Sequence, residues 1–296
     1  MKEVDNFLDY LLSDRGYSQR TIVTYQAALN SFETFFLQIE SSLTWQTIDT
    51  DIVRRWMAAE MKRGNDARTI SKELSALRSF YKYMLRMGWI KKSPMYRIQN
   101  PKSSEKLPTF LRQKEIDRLF DDVVFPEGYK GIRDYTILMT FYHTGIRLSE
   151  LIGLNMLDVN IERQELKVTG KRNKQRIIPF GRELTDVLRT YVNCRKGLEE
   201  GVETGNALFL STKMKRISSS QVERIVKHYL SFVTSQKKRS PHVLRHTFAT
   251  AMLNNGADLE AIKELLGHES VTTTEVYTHT TFADLKKEYK LAHPRA

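Results

Sequence analysis

The run Glu165-Leu-Lys-Val-Thr-Gly-Lys-Arg-Asn-Lys-Gln-Arg-Ile-Ile-Pro-Phe180 is where the character of this sequence changes. Residues 165–169 alternate apolar and polar side chains, the period of a half-buried strand. Gly170 to Gln175 holds a glycine, an asparagine and several cations but no apolar residue, and so reads as a turn. Residues 176–180 return to strand-like side chains. The stretch predicts a β-hairpin, set in a chain whose patterning is helical almost everywhere else.

Working outward, helical spacing of apolar residues appears upstream at 112–121 and 130–143, with a shorter stretch from Leu148 to Leu154. Downstream it covers 182–196, 219–233, 242–254, 258–266, 270–277 and 282–291. Residues 98–108 (Ile-Gln-Asn-Pro-Lys-Ser-Ser-Glu-Lys-Leu-Pro) lack apolar periodicity and hold two prolines, which marks a linker. Before it, residues 1–97 read as a compact helical set. Val4, Phe7, Leu8, Leu11 and Leu12 lie on a first helix, and Ser18 caps a second carrying Ile22, Tyr25, Leu29 and Phe32 to Phe36. A third helix starts near Thr50 or Asp51 with Val53, Trp56 and Met57. A fourth follows Asn65-Asp66 through Ile70, Leu74, Leu77, Phe80, Tyr81 and Met84, and stops near Gly88. The expected fold class is mainly α with a small sheet or hairpin: a helical domain at 1–97, a linker at 98–108 and a second domain at 109–296.

At 296 residues the chain is long enough for two cores, and 41% hydrophobic with 28% charged residues is an ordinary globular composition. No apolar run approaches the length that spans a bilayer, and Met1-Lys2-Glu3-Val4-Asp5 has neither the basic start nor the apolar stretch of a signal peptide. The expected location is the cytoplasm, with no membrane partner. Cys194, the single cysteine, cannot form an internal disulfide, which agrees with a reducing compartment.

The net charge of +12 and a pI near 9.6 favour a polyanionic partner, and without a lipidation signal nucleic acid leads. The charge is uneven. Between Arg20 and Arg54 there is no Lys or Arg, whereas Arg54 to Lys106 holds fourteen basic and four acidic residues, a surplus of 10. Cations crowded onto the last two helices of a four-helix unit suit a face laid along phosphates better than a merely solvated surface. The candidate DNA contacts there are Arg54, Arg55, Lys62, Arg63, Arg68, Lys72 and Arg78, joined by Lys174 of the hairpin.

Several chemistries are set aside by what the sequence lacks. There is no glycine loop of the nucleotide-cradling kinds and no Gly-x-Ser-x-Gly elbow. His242 and His246 have metal-ligand spacing, but Arg245 lies between them and no cysteine or carboxylate is near in sequence, so no metal is expected. What remains is a set of cations and histidines in the second domain. Thr144-Gly-Ile-Arg-Leu-Ser-Glu150 places Arg147 after a glycine break, at a helix start. The hairpin turn carries Lys171 and Lys174. Pro241-His-Val-Leu-Arg-His-Thr-Phe-Ala-Thr250 sets His242 and Arg245 three apart on one helix face. Leu265-Leu-Gly-His-Glu-Ser-Val-Thr-Thr-Thr-Glu-Val-Tyr-Thr-His279 offers His268 and Tyr277. Taken singly, each of these is more often a solvated cation or a packed aromatic than a catalyst.

Together, in this order and spacing, these segments resemble the tyrosine recombinase (phage integrase) family, most closely its Xer branch, over nearly the whole chain. The ending Tyr289-Lys-Leu-Ala-His-Pro-Arg-Ala296 is similar to a Xer C-terminus. The resemblance implies a helical core-binding, SAM-like DNA-binding domain followed by a catalytic domain, the two forming a clamp around DNA. It places the catalytic set on Arg147, Lys171, His242, Arg245, His268 and Tyr277. One departure is visible: Xer-like hairpins read Gly-Lys-Gly-x-Lys, whereas Arg172 stands here at the second glycine. The Gly170-Lys171 pair is intact, and Lys174 is the alternative lysine.

The family's chemistry gives each residue a role. Two guanidiniums can clamp both non-bridging oxygens of a phosphodiester with paired donors, which lysines cannot do; that is the role implied for Arg147 and Arg245. Tyr277 is the implied nucleophile, and because a free phenol has a pKa of about 10 it needs a base, for which His242 is the candidate. Lys171 is the candidate acid for the departing 5′-oxygen, and His268 would donate to a phosphoryl oxygen. The 3′-phosphotyrosyl ester keeps the energy of the broken bond, so rejoining needs neither ATP, metal nor another cofactor.

In the family four protomers exchange strands through a Holliday junction. The implied partners are a double-stranded recombination site and either a homotetramer or a heterotetramer with a second recombinase, with a septum-located DNA translocase as candidate activator. A C-terminal segment docks on the neighbouring protomer; Phe282 to Leu291 is the candidate, the alternative being a helix packed on its own domain. The expected function is site-specific recombination of the kind that resolves chromosome dimers. Rival readings are a mobile-element integrase or DNA invertase, a type IB topoisomerase, and a DNA-binding protein without activity. The compact length, with no extra arm-binding domain, favours the Xer or simple invertase reading over a large phage integrase.

Overall fold

The structure, a computed structural model, describes residues 2–102, 109–170, 173–197, 205–267 and 282–296. It divides into two compact units, Met1–Lys106 and Leu107–Ala296.

The first unit is built from α1 (Lys2–Ser13), α2 (Gln19–Ile39), α3 (Thr50–Lys62) and α4 (Ala67–Arg86). Short polar side chains start the last three. Ser18 Oγ accepts from Thr21 N, Asp49 Oδ1 accepts from Asp51 N and Ile52 N at 2.9 Å each, and Asp66 Oδ1 accepts from Thr69 N at 2.7 Å. The apolar faces meet in an aromatic core. Trp45, Phe32, Phe36, Trp56 and Phe80 pack largely edge to face, with the Trp45 and Phe80 centroids 4.7 Å apart. Leu12, grouped by its spacing with the buried stripe, is instead exposed. Arg54, Arg55, Lys62, Arg63, Arg68 and Lys72 all lie on the surface. Arg78 differs: it is half-buried and donates to Ile98 O at 2.9 Å and Asn100 Oδ1 at 2.8 Å, holding the chain that leaves this unit.

The second unit opens with a short helix, α5 (Gln113–Asp117), which widens into a π-helical turn over Arg118–Asp122. The looser winding brings the adjacent Leu119 and Phe120 both into the core. Then come α6 (Tyr129–Thr144), α7 (Leu148–Gly153), a 3-10 turn (Met156–Asp158), β1 (Val159–Asn160), β2 (Glu165–Thr169) and β3 (Gln175–Pro179). These strands form an antiparallel sheet in the order β1-β2-β3. Leu166 lies opposite Ile178 and Val168 opposite Arg176, and Gly170 N donates to Lys174 O at 2.7 Å to close the expected hairpin. β1, at two residues, is too short to leave a period in the sequence. α8 (Arg182–Lys196), α9 (Ser219–Val233), α10 (Pro241–Asn254), α11 (Leu259–Leu266) and α12 (Phe282–Ala292) complete the described elements. None of the described helices is long and apolar enough to cross a membrane.

α12 packs on its own unit, against α10, α11 and β3. Leu285, Tyr289 and Ala292 are buried in the core, and His293 stacks between the rings of Tyr289 and His143. Arg295 anchors the end of the chain to Asp121 at 2.8 Å and to Glu183, whose carboxyl is held down at about 2: burial raises it, but bonds from His143 and Arg295 outweigh that. In the single chain the alternative for Phe282 to Leu291 therefore holds, a helix docked on its own domain.

Candidate active site

α6 ends at Gly145, whose left-handed conformation (φ 58°) turns the chain out of the helix. A Cβ there would lie 2.5 Å from Phe248 and 2.8 Å from Leu266, so glycine is required both by the turn and by the contact. Two residues later Arg147 is the N-cap of α7. Its backbone N donates to Glu150 Oε2 at 2.8 Å, its Nη1 to Glu150 Oε1 at 2.9 Å and its Nη2 to Gly267 O at 2.8 Å. Arg245, 7% exposed on α10, donates Nη1 to Gly145 O and Nη2 to Leu266 O. The two guanidiniums thus grip consecutive carbonyls, Leu266 and Gly267, at the end of α11.

Crowding two cations has an electrostatic signature. Burial and then the neighbouring Arg147 charge push the Arg245 guanidinium down to about 10, still fully charged at neutral pH. An anion placed between the arginines would relieve that repulsion. His242 lies one helical turn before Arg245 with its side chain exposed; partial desolvation, then the charges of Lys238, Arg245 and Arg147, hold its pKa below the ordinary value. It is therefore a neutral imidazole at pH 7, free to accept a proton.

Arg147 and Arg245 thus meet at neighbouring carbonyls, with His242 on the same helix as Arg245, three residues before it as the spacing had it. Lys171, His268 and Tyr277 lie outside the described residues. The residues preceding two of them are part of the site: Gly170, where a Cβ would stand 3.3 Å from Glu150 Oε1, and Gly267, whose carbonyl receives Arg147. Lys174 is exposed at the hairpin.

Two residues that sequence reasoning passed over stand at the centre. Glu150 is 3% exposed and takes Arg147 on one side and Arg176 on the other, Arg176 Nη1 and Nη2 reaching Oε1 and Oε2 at 2.9 and 3.0 Å. The signals were local. Glu150 stands at the third position after an N-cap, where a carboxylate closes on the cap nitrogen. Arg176 falls by the period of two on the face of Ile178, and a charge on a buried face is informative.

Burial raises the Glu150 carboxyl, but the bonds from Arg176 and Arg147 outweigh it and leave its pKa at about 2. Depressed from 4.5, it stabilises the fold by about 3 kcal/mol above pH 4.5. That contribution is lost as pH falls through 4.5 toward 2. Glu150→Gln should therefore be markedly less stable than the parent at pH 7, with the gap closing on acidification; denaturant melts across that range check it, and a pH-independent gap would contradict the ion-pair account.

The phage integrase family model matches residues 109–284, and the model of the phage integrase N-terminal SAM-like domain matches residues 4–88. The chain belongs to the phage integrase family. A tyrosine recombinase XerC of Chlorobaculum tepidum is 39% identical over 98% of this chain and 94% of its own length. The XerC of Bacillus subtilis is 36% identical over 100% and 99%. These relatives place this phage integrase family member in the Xer branch, the branch of tyrosine-type site-specific DNA recombinases. The fold agrees. A XerH recombinase bound to a palindromic difH substrate aligns with TM-score 0.72 at 23% identity, over 92% of this chain and 80% of that one. A lambda integrase dimer bound to a COC′ core site aligns with TM-score 0.67 at 18% identity, over 94% and 98%.

Proposed function

We propose that this Xer-type recombinase cuts and rejoins a double-stranded recombination site through Tyr277, with Arg147, Lys171, His242, Arg245 and His268 as its catalytic partners. The observation that carries the reading is the convergence of the Arg147 and Arg245 guanidiniums, with a neutral His242 one turn away. The scissile phosphate sits between the arginines, which stabilise the charge that grows on its non-bridging oxygens. The Tyr277 oxygen attacks phosphorus, and its proton passes to His242. The bond to the 5′-oxygen breaks, Lys171 protonates that oxygen, and His268 donates to a phosphoryl oxygen. The product is a 3′-phosphotyrosyl ester and a free 5′-hydroxyl; attack by a 5′-hydroxyl from the partner duplex reverses the step and exchanges the strand.

Residues 1–97 and 109–296, joined through 98–108, both bind the duplex. Arg54, Arg55, Lys62, Arg63, Arg68 and Lys72, with Lys174, lie along phosphates; Arg78 reaches DNA only after releasing Ile98 and Asn100. Four protomers act together on paired sites, as a homotetramer or beside a second recombinase, in the cytoplasm, with a DNA translocase as activator and resolution of chromosome dimers as the outcome. No cofactor takes part.

The test is to trap the enzyme on a nicked site, digest it and locate the nucleotide-bearing peptide by mass. Nucleotide on Tyr277 is the expected result; attachment to any other residue overturns the reading. Salt tests this binding separately. Phosphate contacts from Arg54, Arg55, Lys62, Arg63, Arg68 and Lys72 give a slope of log affinity on log salt of about −5, and changing any one of these to Ala should flatten it by about one. A slope near zero by fluorescence anisotropy would contradict the basic face.

A further inference from the structure

We infer that Arg176 is a positioning residue for the phosphate clamp: from the inward face of β3 it holds at once the two acceptors that aim Arg147. The first is Glu150. Its Oε1 receives both Arg147 Nη1 and Arg176 Nη1, each at 2.9 Å, and its Oε2 receives Arg176 Nη2 at 3.0 Å. The second is the carbonyl of Gly267. Arg176 Nε donates to Leu265 O at 2.8 Å, and the guanidinium lies so close under Gly267 that a Cβ there would stand 2.9 Å from Nη1. Gly267 O in turn accepts Arg147 Nη2 at 2.8 Å. One planar fork therefore fixes the carboxylate and the loop that orient Arg147. Lysine keeps the charge but not the fork: it can reach Glu150 or Leu265, not both oxygens of one and the carbonyl of the other. Arg147 then loses its aim rather than its charge.

The inference rests on the role proposed for Arg147, and the experiment separates the two. Single-turnover adduct formation is measured for the parent and Arg176→Lys on two nicked sites. One has the ordinary scissile phosphodiester; the other has a methylphosphonate, in which a methyl replaces a non-bridging oxygen and removes the charge. On the phosphodiester Arg176→Lys should slow cleavage by about 10²-fold, the scale of a misplaced catalytic group, with site affinity unchanged. On the methylphosphonate the ground state is neutral and a single charge grows on the one remaining non-bridging oxygen, which Arg245 alone can balance, so parent and variant should agree within about 3-fold. Equal slowing on both sites means a merely structural role and overturns the inference, as does an unslowed phosphodiester. Arg176→Gln, which keeps length and an amide donor, takes the same two-site comparison if the lysine variant melts below the assay temperature. Peptide mapping of the parent adduct tests the Tyr277 chemistry; the parent-to-variant ratios test Arg176 alone.

Discussion

Tyr277→Phe will lose the denaturant-resistant protein–DNA adduct completely while binding its site as tightly as the parent. The substitution removes one hydroxyl and no charge, so the arginines that attract the phosphate, and the basic surface of α3 and α4, act as before. The buried tyrosines are poor substitutes. Tyr289 is fully buried with its phenol held well above 10, Tyr191 and Tyr81 are likewise pushed up by burial, and Tyr142 is raised to about 12. A phenol that burial keeps protonated is a poor nucleophile at neutral pH. Denaturing electrophoresis of protein trapped on labelled, nicked DNA reads the result. A band of full intensity from the phenylalanine variant would remove Tyr277 from the mechanism.

Arg245→Ala carries the next largest effect, with cleavage falling by about 10²- to 10³-fold, the range seen when one preorganised donor is removed from a developing anion. Two consequences should be separated. The guanidinium is also a structural tie, joining α10 to Gly145 O and Leu266 O, so alanine leaves two buried carbonyls without their donors, at a cost of about 1–3 kcal/mol each. Arg147 is a third exposed and ends at Glu150 and Gly267, so Arg147→Ala should match the loss of cleavage with a smaller loss of stability. Thermal melts alongside single-turnover cleavage make that distinction. If Arg245→Ala cleaved normally at a temperature where it is folded, the arginine clamp would be wrong. Arg245→Lys should recover charge but little rate, because one ammonium cannot present the paired donors of a planar guanidinium.

Much of this was readable along the chain because it is written in short periods. Ser18 and the Asn65-Asp66 pair announced helix starts, and the alternation of residues 165–169 around the Gly170 turn announced the hairpin. The break at Gly145 announced that Arg147 begins a helix. Each signal needs only a handful of neighbouring residues, since caps, turns and strand alternation are set by backbone geometry within one or two turns. The π turn after α5 and the two-residue β1 left no such trace, because neither has a period long enough to read.

By itself, then, the sequence determined the mainly helical class and the hairpin, and through its resemblance to the phage integrase family it nominated a set of cations, histidines and one tyrosine. Which residues hold that set in place was decided by the tertiary structure alone. Arg147 ends on a carbonyl 120 residues away, Arg245 on one 100 residues away and Arg176 on one 89 residues away. No periodicity spans such distances. A guanidinium leaving water must find acceptors wherever the packed chain happens to bring them, and the glycines at 145 and 267 let two loops come close enough to supply them.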